Sequence, residues 1–206
     1  SISIQNNSIK QNTSGDGAGV YVRQGEKFEM GYNVLSSNSA MGKGGALYLD
    51  STANILYHNV VKSNNAQFGG GFYIKDQFKI EDSDFTFNTT TTNGQGGGIF
   101  TTKSHGIIDR CAFDGNITDL QGGGLCAYLC DSIFVWNSLF HNNDATNAVS
   151  LGGAVYNDKN DFFEQINCTA YANNADEGES IYTLSNDPIL RNNIYYDNED
   201  ALEILN

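Results

Sequence analysis

Residues 80–100 read IEDSDFTFNTTTTNGQGGGIF, and the order of residue types in this stretch decides the fold. Ile80 is followed five positions later by Phe85, and Phe85 is followed three positions later by Asn88. A glycine run then leads into an aliphatic and an aromatic residue. The same order recurs along the whole chain, which makes the stretch one unit of an internal repeat.

An apolar residue three positions before an asparagine marks each unit. The apolar residues are Ile9, Leu35, Val61, Phe85, Phe113, Phe140, Tyr171 and Tyr195. The asparagines are Asn12, Asn38, Asn64, Asn88, Asn116, Asn143, Asn174 and Asn198. Successive asparagines are 26, 26, 24, 28, 27, 31 and 24 residues apart. A period of about 26 residues is too short for tetratricopeptide or ankyrin repeats, which run about 33–34 residues.

Each unit holds three short apolar segments that are rich in β-branched and aromatic residues and are separated by polar turns. That punctuation is typical of strands, and no segment has a sustained helical period. One such unit cannot bury its apolar face alone, whereas stacked units can. The sequence therefore predicts an all-β, right-handed parallel β-helix solenoid over residues 1–206, with about eight coils and three strands per coil.

Stacking places like residues on like at about 4.8 Å, so the asparagine column predicts a ladder of side-chain amides. The glycine pairs, such as Gly44-Gly45, predict a corner where the backbone passes close to its neighbours. By alternation, an aromatic column after the glycines points outward; its members are Tyr21, Tyr48, Tyr73, Phe100, Tyr156 and Tyr182. Such a column favours a ladder that stabilises the strands over a platform for sugar rings.

Composition excludes several functions. The net charge of −13 disfavours nucleic-acid binding and docking on anionic lipid. No segment approaches the roughly 18 apolar residues that predict a membrane span. We therefore expect an extracellular or cell-surface protein with no nucleic-acid partner and no membrane insertion.

Four cysteines and five glycosylation sequons bear on whether the protein folds in an oxidising, extracellular compartment. Cys126 and Cys130 are close enough in sequence to predict a disulfide, although free buried thiols are nearly as well favoured for these and for Cys111 and Cys168. The candidate glycosylation sites are Asn6, Asn12, Asn88, Asn116 and Asn167.

The two motifs together resemble the repeats of chlamydial polymorphic membrane proteins and similar β-helical surface adhesins. They stand here as Phe113-Asp114-Gly115-Asn116, Phe140-His141-Asn142-Asn143 and Gly44-Gly45-Ala46-Leu47. The likeness covers nearly the whole chain. It implies a β-helical passenger that is exposed on a cell surface.

We expect a structural or adhesive surface module and not an enzyme. The alternative is a carbohydrate-active enzyme of the polysaccharide lyase or hydrolase type, or a glycan-binding surface. Asp109-Arg110 and the Asp82/Asp84 pair are the closest catalytic candidates, and we interpret them as turn charges. The three histidines fall at unlike repeat positions and predict no metal site. Acidic turns at Asp176-Glu177 and Glu199-Asp200 are weak candidates for Ca²⁺, and no cofactor is expected.

Strand patterns reach close to both termini. We expect either a segment of a longer solenoid or a fibre subunit that stacks on like subunits. The partners expected on this basis are adjoining coils or like subunits, surface glycans, and host or cell proteins.

Overall fold

The computed structural model describes residues 1–25, 27–184 and 187–205. These residues form short strands and turns, and no helix is present among them. The first half of the chain contains β1 (Ile2–Gln5), β2 (Ser8–Lys10), β3 (Thr13–Ser14), β4 (Val20–Arg23), β5 (Phe28–Gly31), β6 (Val34–Ser36), β7 (Ser39–Ala40), β8 (Leu47–Asp50), β9 (Asn54–Tyr57), β10 (Val60–Lys62), β11 (Asn65–Phe68), β12 (Phe72–Glu81), β13 (Asp84–Thr86) and β14 (Thr89–Gln95). The second half contains β15 (Ile99–Asp109), β16 (Ala112–Asp114), β17 (Ile117–Thr118), β18 (Leu125–Tyr128), β19 (Ser132–Trp136), β20 (Leu139–His141), β21 (Asp144–Ala145), β22 (Val155–Asp158), β23 (Phe163–Ile166), β24 (Thr169–Tyr171), β25 (Ile181–Thr183), β26 (Ile189–Arg191), β27 (Ile194–Tyr196) and β28 (Leu202–Ile204).

All described strand pairs are parallel and join equivalent segments of successive coils. We number the four faces of the solenoid in chain order, as they begin with β1, β2, β3 and β4. Face 2 stacks eight strands, from β2 to β27, so the chain makes about seven turns of roughly 26 residues. Faces 1 and 4 join into a 14-stranded sheet, because β12 and β15 run through the corner between them. The predicted parallel solenoid is confirmed.

A fourth face was not predicted. The sequence indicates three apolar segments per coil, and these are faces 1, 2 and 4. Face 3 is a six-stranded sheet of two- to seven-residue strands such as Thr13–Ser14 and Ile117–Thr118. Its residues are mostly polar or small, so they give no apolar signal, and they follow the asparagine turn directly.

The core is a set of stacked columns inside the solenoid. On face 2, Phe85, Phe113 and Phe140 are fully buried, as predicted, and successive ring centroids lie 5.0 and 4.6 Å apart. On face 1, Ile80 and Ile108 are also fully buried. Alternation along each strand points one side chain inward and the next outward. Each inward residue therefore packs on its equivalent one coil above and below.

All four corners of the solenoid use residues in the left-handed conformation. Before the ladder asparagines these residues are Gln11, Ser37, Ser63, Phe87, Gly115, Asn142, Ala172 and Asp197, with φ between 51° and 62°. Between faces 1 and 2 they are Asn6, Tyr32, His58, Asp82, Arg110, Asn137, Asn167 and Asn192. This conformation is costly for residues other than glycine and asparagine, so the stacked turn must hold it in place.

The corner between faces 3 and 4 is the glycine corner. Its first glycine has positive φ, as at Gly96 with φ 70°. Its second glycine touches backbone, since a Cβ on Gly70 would lie 2.2 Å from the carbonyl oxygen of Thr89 and 2.6 Å from that of Gly97. Glycine is required there because the neighbouring coil leaves no room for a side chain.

Glycines elsewhere make room for a ring from a neighbouring coil. A Cβ on Gly31 would lie 2.4 Å from Cζ of Tyr57, and one on Gly106 would lie 2.2 Å from Cζ of Phe78. We call these two contacts the glycine–aromatic pairs. Each joins one specific coil to the next, and neither recurs along its column.

Candidate functional site

Asparagine side chains form a continuous ladder at the corner between faces 2 and 3. In each step the Oδ1 of one asparagine accepts the backbone N–H of the previous one, at N···O distances of 3.0–3.2 Å. Each Nδ2 from Asn38 onward also donates to the carbonyl of the apolar column residue one coil earlier, as Asn116 does to Phe85 at 2.8 Å. The ladder therefore satisfies buried backbone groups at a turn where no strand ladder can do so.

The prediction that Asn174 belongs to the ladder is wrong, and Asn173 occupies that position. Asn173 is buried, and its Oδ1 accepts from both the N–H and the Nδ2 of Asn143 at 3.0 Å. Asn174 is exposed and donates to Asp144. The other seven predicted asparagines occupy the ladder. Tyr171 is the apolar residue three positions before Asn174, but the inward residue of β24 is Ala170.

The same one-residue shift affects face 1 in this coil. Gln165, and not Ile166, pairs with Val135 and points inward. Tyr195 follows Ala170 in the face 2 column and donates its hydroxyl to Oε1 of Gln165 at 3.3 Å. Burial raises the pKa of that tyrosine well above its usual range. The interior of these last coils is therefore more polar than the sequence pattern predicts.

A second ladder, at the corner between faces 1 and 2, was missed. Its members are Asn7, Asn33, Asn59, Ser83, Cys111, Ser138, Cys168 and Asn193. Each member stands five residues before a ladder asparagine. That spacing is a usable signal, and it also selects Asn173 over Asn174, because Asn173 lies five residues after Cys168.

The cysteines of this ladder take the place of asparagine. The Cys111 thiol donates to the carbonyls of Asp109 at 3.4 Å and Ile80 at 3.8 Å. Asn33 makes the equivalent two bonds through Nδ2, to Gly31 and Ile4. Cys168 bonds in the same way. Burial raises the pKa of the Cys111 thiol to about 12 and that of Cys168 to about 11, so both stay protonated at neutral pH.

The predicted disulfide between Cys126 and Cys130 is not present. All four cysteines are free and buried. Cys126 lies in the outward aromatic column of face 4, between Phe100 and Tyr156. Cys130 follows the left-handed residue Leu129, and its thiol donates to the carbonyl of Thr101 inside the solenoid. The turn therefore directs the two sulfur atoms to different sides of the sheet.

The five sequons differ in accessibility. Asn6, Asn12 and Asn167 are exposed. Asn88 and Asn116 are fully buried in the asparagine ladder, so a glycan on either would require the ladder to open. The prediction of glycosylation at these two positions is therefore corrected.

The structure brings the predicted catalytic candidates together in part. Arg110 Nε and Nη2 bond to the two carboxylate oxygens of Asp82 at 2.8 and 3.0 Å, and Arg110 also pairs with Asp109 and with Glu81. Asp84 lies on face 2, outside this network. Sequence reasoning missed Glu81. The surrounding carboxylates raise the pKa of Arg110, and its hydrogen bonds to Asp82 are the largest cause. Arg110 in turn lowers the pKa of Asp82 through the same hydrogen bonds.

This network is on the surface, where its charges neutralise each other in part. Arg110 is about half exposed, whereas Asp109 is largely covered and accepts a further bond from Asn137. A bidentate guanidinium–carboxylate pair gives a fixed geometry. The arginine is occupied by three acidic partners, which leaves it poorly placed to receive a substrate carboxylate.

The outward aromatic column is stacked, and its members from Tyr48 onward are buried, whereas Tyr21 at its end is 49% exposed. Tyr48 and Tyr73 have ring centroids 5.3 Å apart and nearly parallel planes, and Phe100 continues the stack at 5.4 Å. Phe68, Tyr128 and Leu151 pack over the column. Burial, with help from Asp50, raises the pKa of Tyr48 to about 12. Because the ring faces contact each other, this column favours the ladder interpretation over a sugar platform.

The three histidines lie apart. His58 stacks on Tyr32, His105 is near Ser132, and His141 pairs with Asp114 at 3.1 Å. At the acidic turns, Asp200 accepts the N–H of Gly178, and Glu179 accepts those of Glu199 and Asp200. Among the described residues, no three His, Cys, Asp or Glu side chains are grouped to hold a metal ion. The absence of a cofactor stays a prediction.

Comparison with known proteins gives one curated relative. Over 188 residues the chain is 26% identical to the probable autotransporter YfaL of Escherichia coli (strain K12). The chain is similar to an autotransporter. The match covers 82% of this chain and 14% of that protein, so the chain spans a small part of its relative's length. The finer resemblance to chlamydial polymorphic membrane proteins stays a prediction.

No protein-family model matches the chain, and no solved structure does. Within the described residues, no helix is long and apolar enough to cross a membrane.

Proposed function

We propose that this chain is a β-helical passenger segment of a surface-exposed protein of the autotransporter type, with a structural or adhesive role. The observation that carries the proposal is the similarity to an autotransporter over 82% of a chain that folds as a parallel solenoid. The fold supplies stacked coils whose recurrent asparagine and glycine residues serve the backbone, and it exposes outward side chains along its faces. A stack of coils with an extended outer surface suits display outside the cell.

Surface location is tested with the full-length protein in its own cells. An epitope tag is placed after Asn147, in the loop between β21 and β22, since that loop contains exposed Val149. We expect antibody labelling of intact cells and loss of the label after external protease. Labelling that requires permeabilised cells would overturn the surface proposal.

A carbohydrate-active enzyme is the alternative function, and its nearest candidate residues lie in the Arg110 network. We propose that this network is structural, because its arginine is held by three carboxylates. The purified protein is incubated with polygalacturonate and other uronic-acid polymers. We expect no cleavage, and cleavage that is lost in Asp109→Asn and Arg110→Ala would favour the enzyme.

A further inference from the structure

Aromatic side chains form a patch on the outer surface of face 1, where β15, β19 and β23 are neighbours. The ring centroid of Phe134 lies 5.5 Å from that of Trp136 in the same strand and 5.3 Å from that of Phe162 one coil later. The His105 ring, one coil earlier, lies 5.7 Å from that of Phe134, and Ile107 precedes Phe134 in its column. Phe134, Trp136 and Phe162 are all partly exposed. We call these five residues the aromatic patch.

The solenoid does not require rings at these positions. In three other coils the column of Phe134 carries a charged residue, at Glu29, Lys79 and Glu164. The column points away from the core, because it alternates with inward residues such as Val135. Contiguous apolar surface that the fold does not need marks an interaction site, and tryptophan is enriched at the centre of protein interfaces. The patch is therefore a candidate docking surface for a protein.

The net charge of the chain comes from the half that carries most of the patch. Residues 1–110 contain nine acidic and nine basic residues, whereas residues 111–206 contain fifteen acidic and two basic residues. The whole net charge of −13 therefore belongs to the second range. It repels phosphate backbones, anionic lipid and a second copy that docks patch to patch. The charge selects a basic partner.

Carboxylates without ion pairs stand in and beside the patch. Glu164 shares the column of the central ring, and its Oε1 accepts the Trp136 Nε1–H at 2.9 Å. Asp131 and Asp161 are exposed on neighbouring coils, just before β19 and β23. None of these three acids forms an ion pair with a described residue. Lys103, exposed at the same corner one coil earlier, offsets one of the three charges and leaves the sum negative.

Arginine matches this combination of ring and carboxylate better than lysine does. Its guanidinium plane stacks on an aromatic face and donates N–H groups to a carboxylate at the same time. The lysine ammonium is a compact point charge that has no plane to stack. A basic partner that uses this patch therefore presents arginine.

The size of the patch fits a short peptide segment. Three strands at about 4.8 Å give it a width of about 10 Å, and three outward columns, two residues apart, give it a length of about 13 Å. An interface between folded proteins buries about 800 Å² on each partner, which is several times larger. Alternate side chains of an extended peptide are also two residues apart. A peptide that lies parallel to the strands can therefore place successive arginines over successive columns.

From these observations we propose that the aromatic patch binds a short, extended, arginine-rich segment of another protein. Its arginines stack on Phe134 and Trp136 and donate to Oε2 of Glu164. Further arginines reach the exposed carboxylates of Asp131 and Asp161. The inference rests on the proposed adhesive role and gives that role a partner class, a basic polypeptide.

The test titrates the purified chain with a peptide of alternating arginine and glycine residues, by calorimetry and by tryptophan fluorescence. The chain contains one tryptophan, so the emission of Trp136 reports on the patch. A citrulline peptide keeps the planar groups and loses the charge. A lysine peptide keeps the charge and loses the planes.

Two variants remove the same amount of charge from different places. Glu164→Gln neutralises the patch and keeps an oxygen that accepts the Trp136 N–H. Asp176→Asn neutralises an exposed turn before the glycine corner, outside the patch. A third variant, Phe134→Leu, removes the central ring and keeps an apolar side chain. Circular dichroism checks that each variant is folded.

We expect the arginine peptide to bind and to change the emission of Trp136. Its affinity should fall by at least about threefold in Glu164→Gln and in Phe134→Leu, and should be unchanged in Asp176→Asn. The lysine peptide should bind at least about threefold more weakly than the arginine peptide, and the citrulline peptide should not bind.

Four results would overturn the inference: no binding of the arginine peptide, binding without a change in Trp136 emission, equal affinity for the lysine or citrulline peptide, or equal loss in Glu164→Gln and Asp176→Asn. Self-association of the chain that Phe134→Leu abolishes would also overturn it, because the occupant would then be a second copy. Labelling on intact cells is independent of this outcome, so failure here leaves the surface proposal standing.

Discussion

Single residues at the turns decide the register of each coil. Asn173 and Asn174 are neighbours in sequence, but only the first is inside the ladder. Its side chain accepts two bonds from Asn143 and donates one to the carbonyl of Phe140 at 3.1 Å. Position within the turn, and not residue type, separates the two asparagines.

Substitution of this pair tests the corrected register. We expect Asn173→Ala to lower the free energy of unfolding by about 2–4 kcal/mol, because it leaves buried donors of Asn143 unpaired. Asn174→Ala should change it by less than about 0.5 kcal/mol, since that side chain is exposed. Urea unfolding of both variants measures the difference, and the reverse order would restore the original prediction.

The buried thiols predict a loss of stability at high pH. Burial raises the pKa of Cys111 and Cys130 to about 12, from 9.0 for an ordinary thiol. Their stabilising contribution is therefore complete below pH 9 and is lost as the pH rises towards 12. Each thiol contributes a slope of about 1.4 kcal/mol per pH unit in that window. In Cys111→Ser, the free energy of unfolding should fall with pH less steeply, by about 1.4 kcal/mol per pH unit. Urea unfolding at several pH values measures both slopes, and equal slopes in the two proteins would contradict a buried Cys111 thiol with a raised pKa.

At the scale of the strand and its corner, close backbone contact limits which residues fit. We expect Gly70→Ala to destabilise the chain by about 2–4 kcal/mol, because its Cβ would meet two carbonyl oxygens within 2.6 Å. Gly15→Ala is the control, since a Cβ there has no atom within 4 Å. Thermal unfolding of the two variants compares them. Similar melting temperatures would mean that the corner can relax.

The phenylalanine column of face 2 gives a second element-scale test. Phe113 lies between two stacked rings, and Phe113→Ala should cost about 3–5 kcal/mol through lost burial and a cavity. Phe87→Ala removes a ring that is 60% exposed and should cost less than about 1 kcal/mol. Denaturant midpoints that move equally would contradict the assigned inward face.

The elements that sequence reasoning predicted are those with a repeated apolar residue. Faces 1, 2 and 4 carry such columns, and the asparagine ladder was predicted for seven of its eight positions. Face 3 is polar and gave no signal. The second ladder was not predicted because some of its members are serine or cysteine. These side chains take the role of asparagine in the ladder, but they interrupt the sequence pattern.

Across the whole molecule, the interior changes from apolar to polar along the axis. β8 is second in the face 4 stack and points Leu47 and Leu49 inward. β25 is second from the other end and points Ile181 and Thr183 inward. Of the three buried side-chain atoms without a hydrogen-bond partner in the described chain, those of Gln165 and Ser180 are in the later coils and that of Asn54 is in an early coil.

This asymmetry predicts uneven local opening. We expect backbone amides of β25 to exchange with deuterium at least about tenfold faster than those of β8, because fewer apolar contacts hold them. The two strands occupy matched positions in their stack, so distance from the end of the stack is controlled. Equal protection of β8 and β25 would show that the polar interior does not weaken the later coils.

The glycine–aromatic pairs affect the order in which the coils stack during folding. Coils that were all alike could stack in a skipped or shifted order during folding, since any coil would accept any other. Gly31 receives the ring of Tyr57, and Gly106 receives the ring of Phe78. A stacking shifted by one coil would put Glu81 in place of Tyr57 and Asn54 in place of Phe78. Each pair therefore favours the observed order of its two coils over a stacking shifted by one coil. Irregular positions in the repeat thus help to fix the order in which the coils stack.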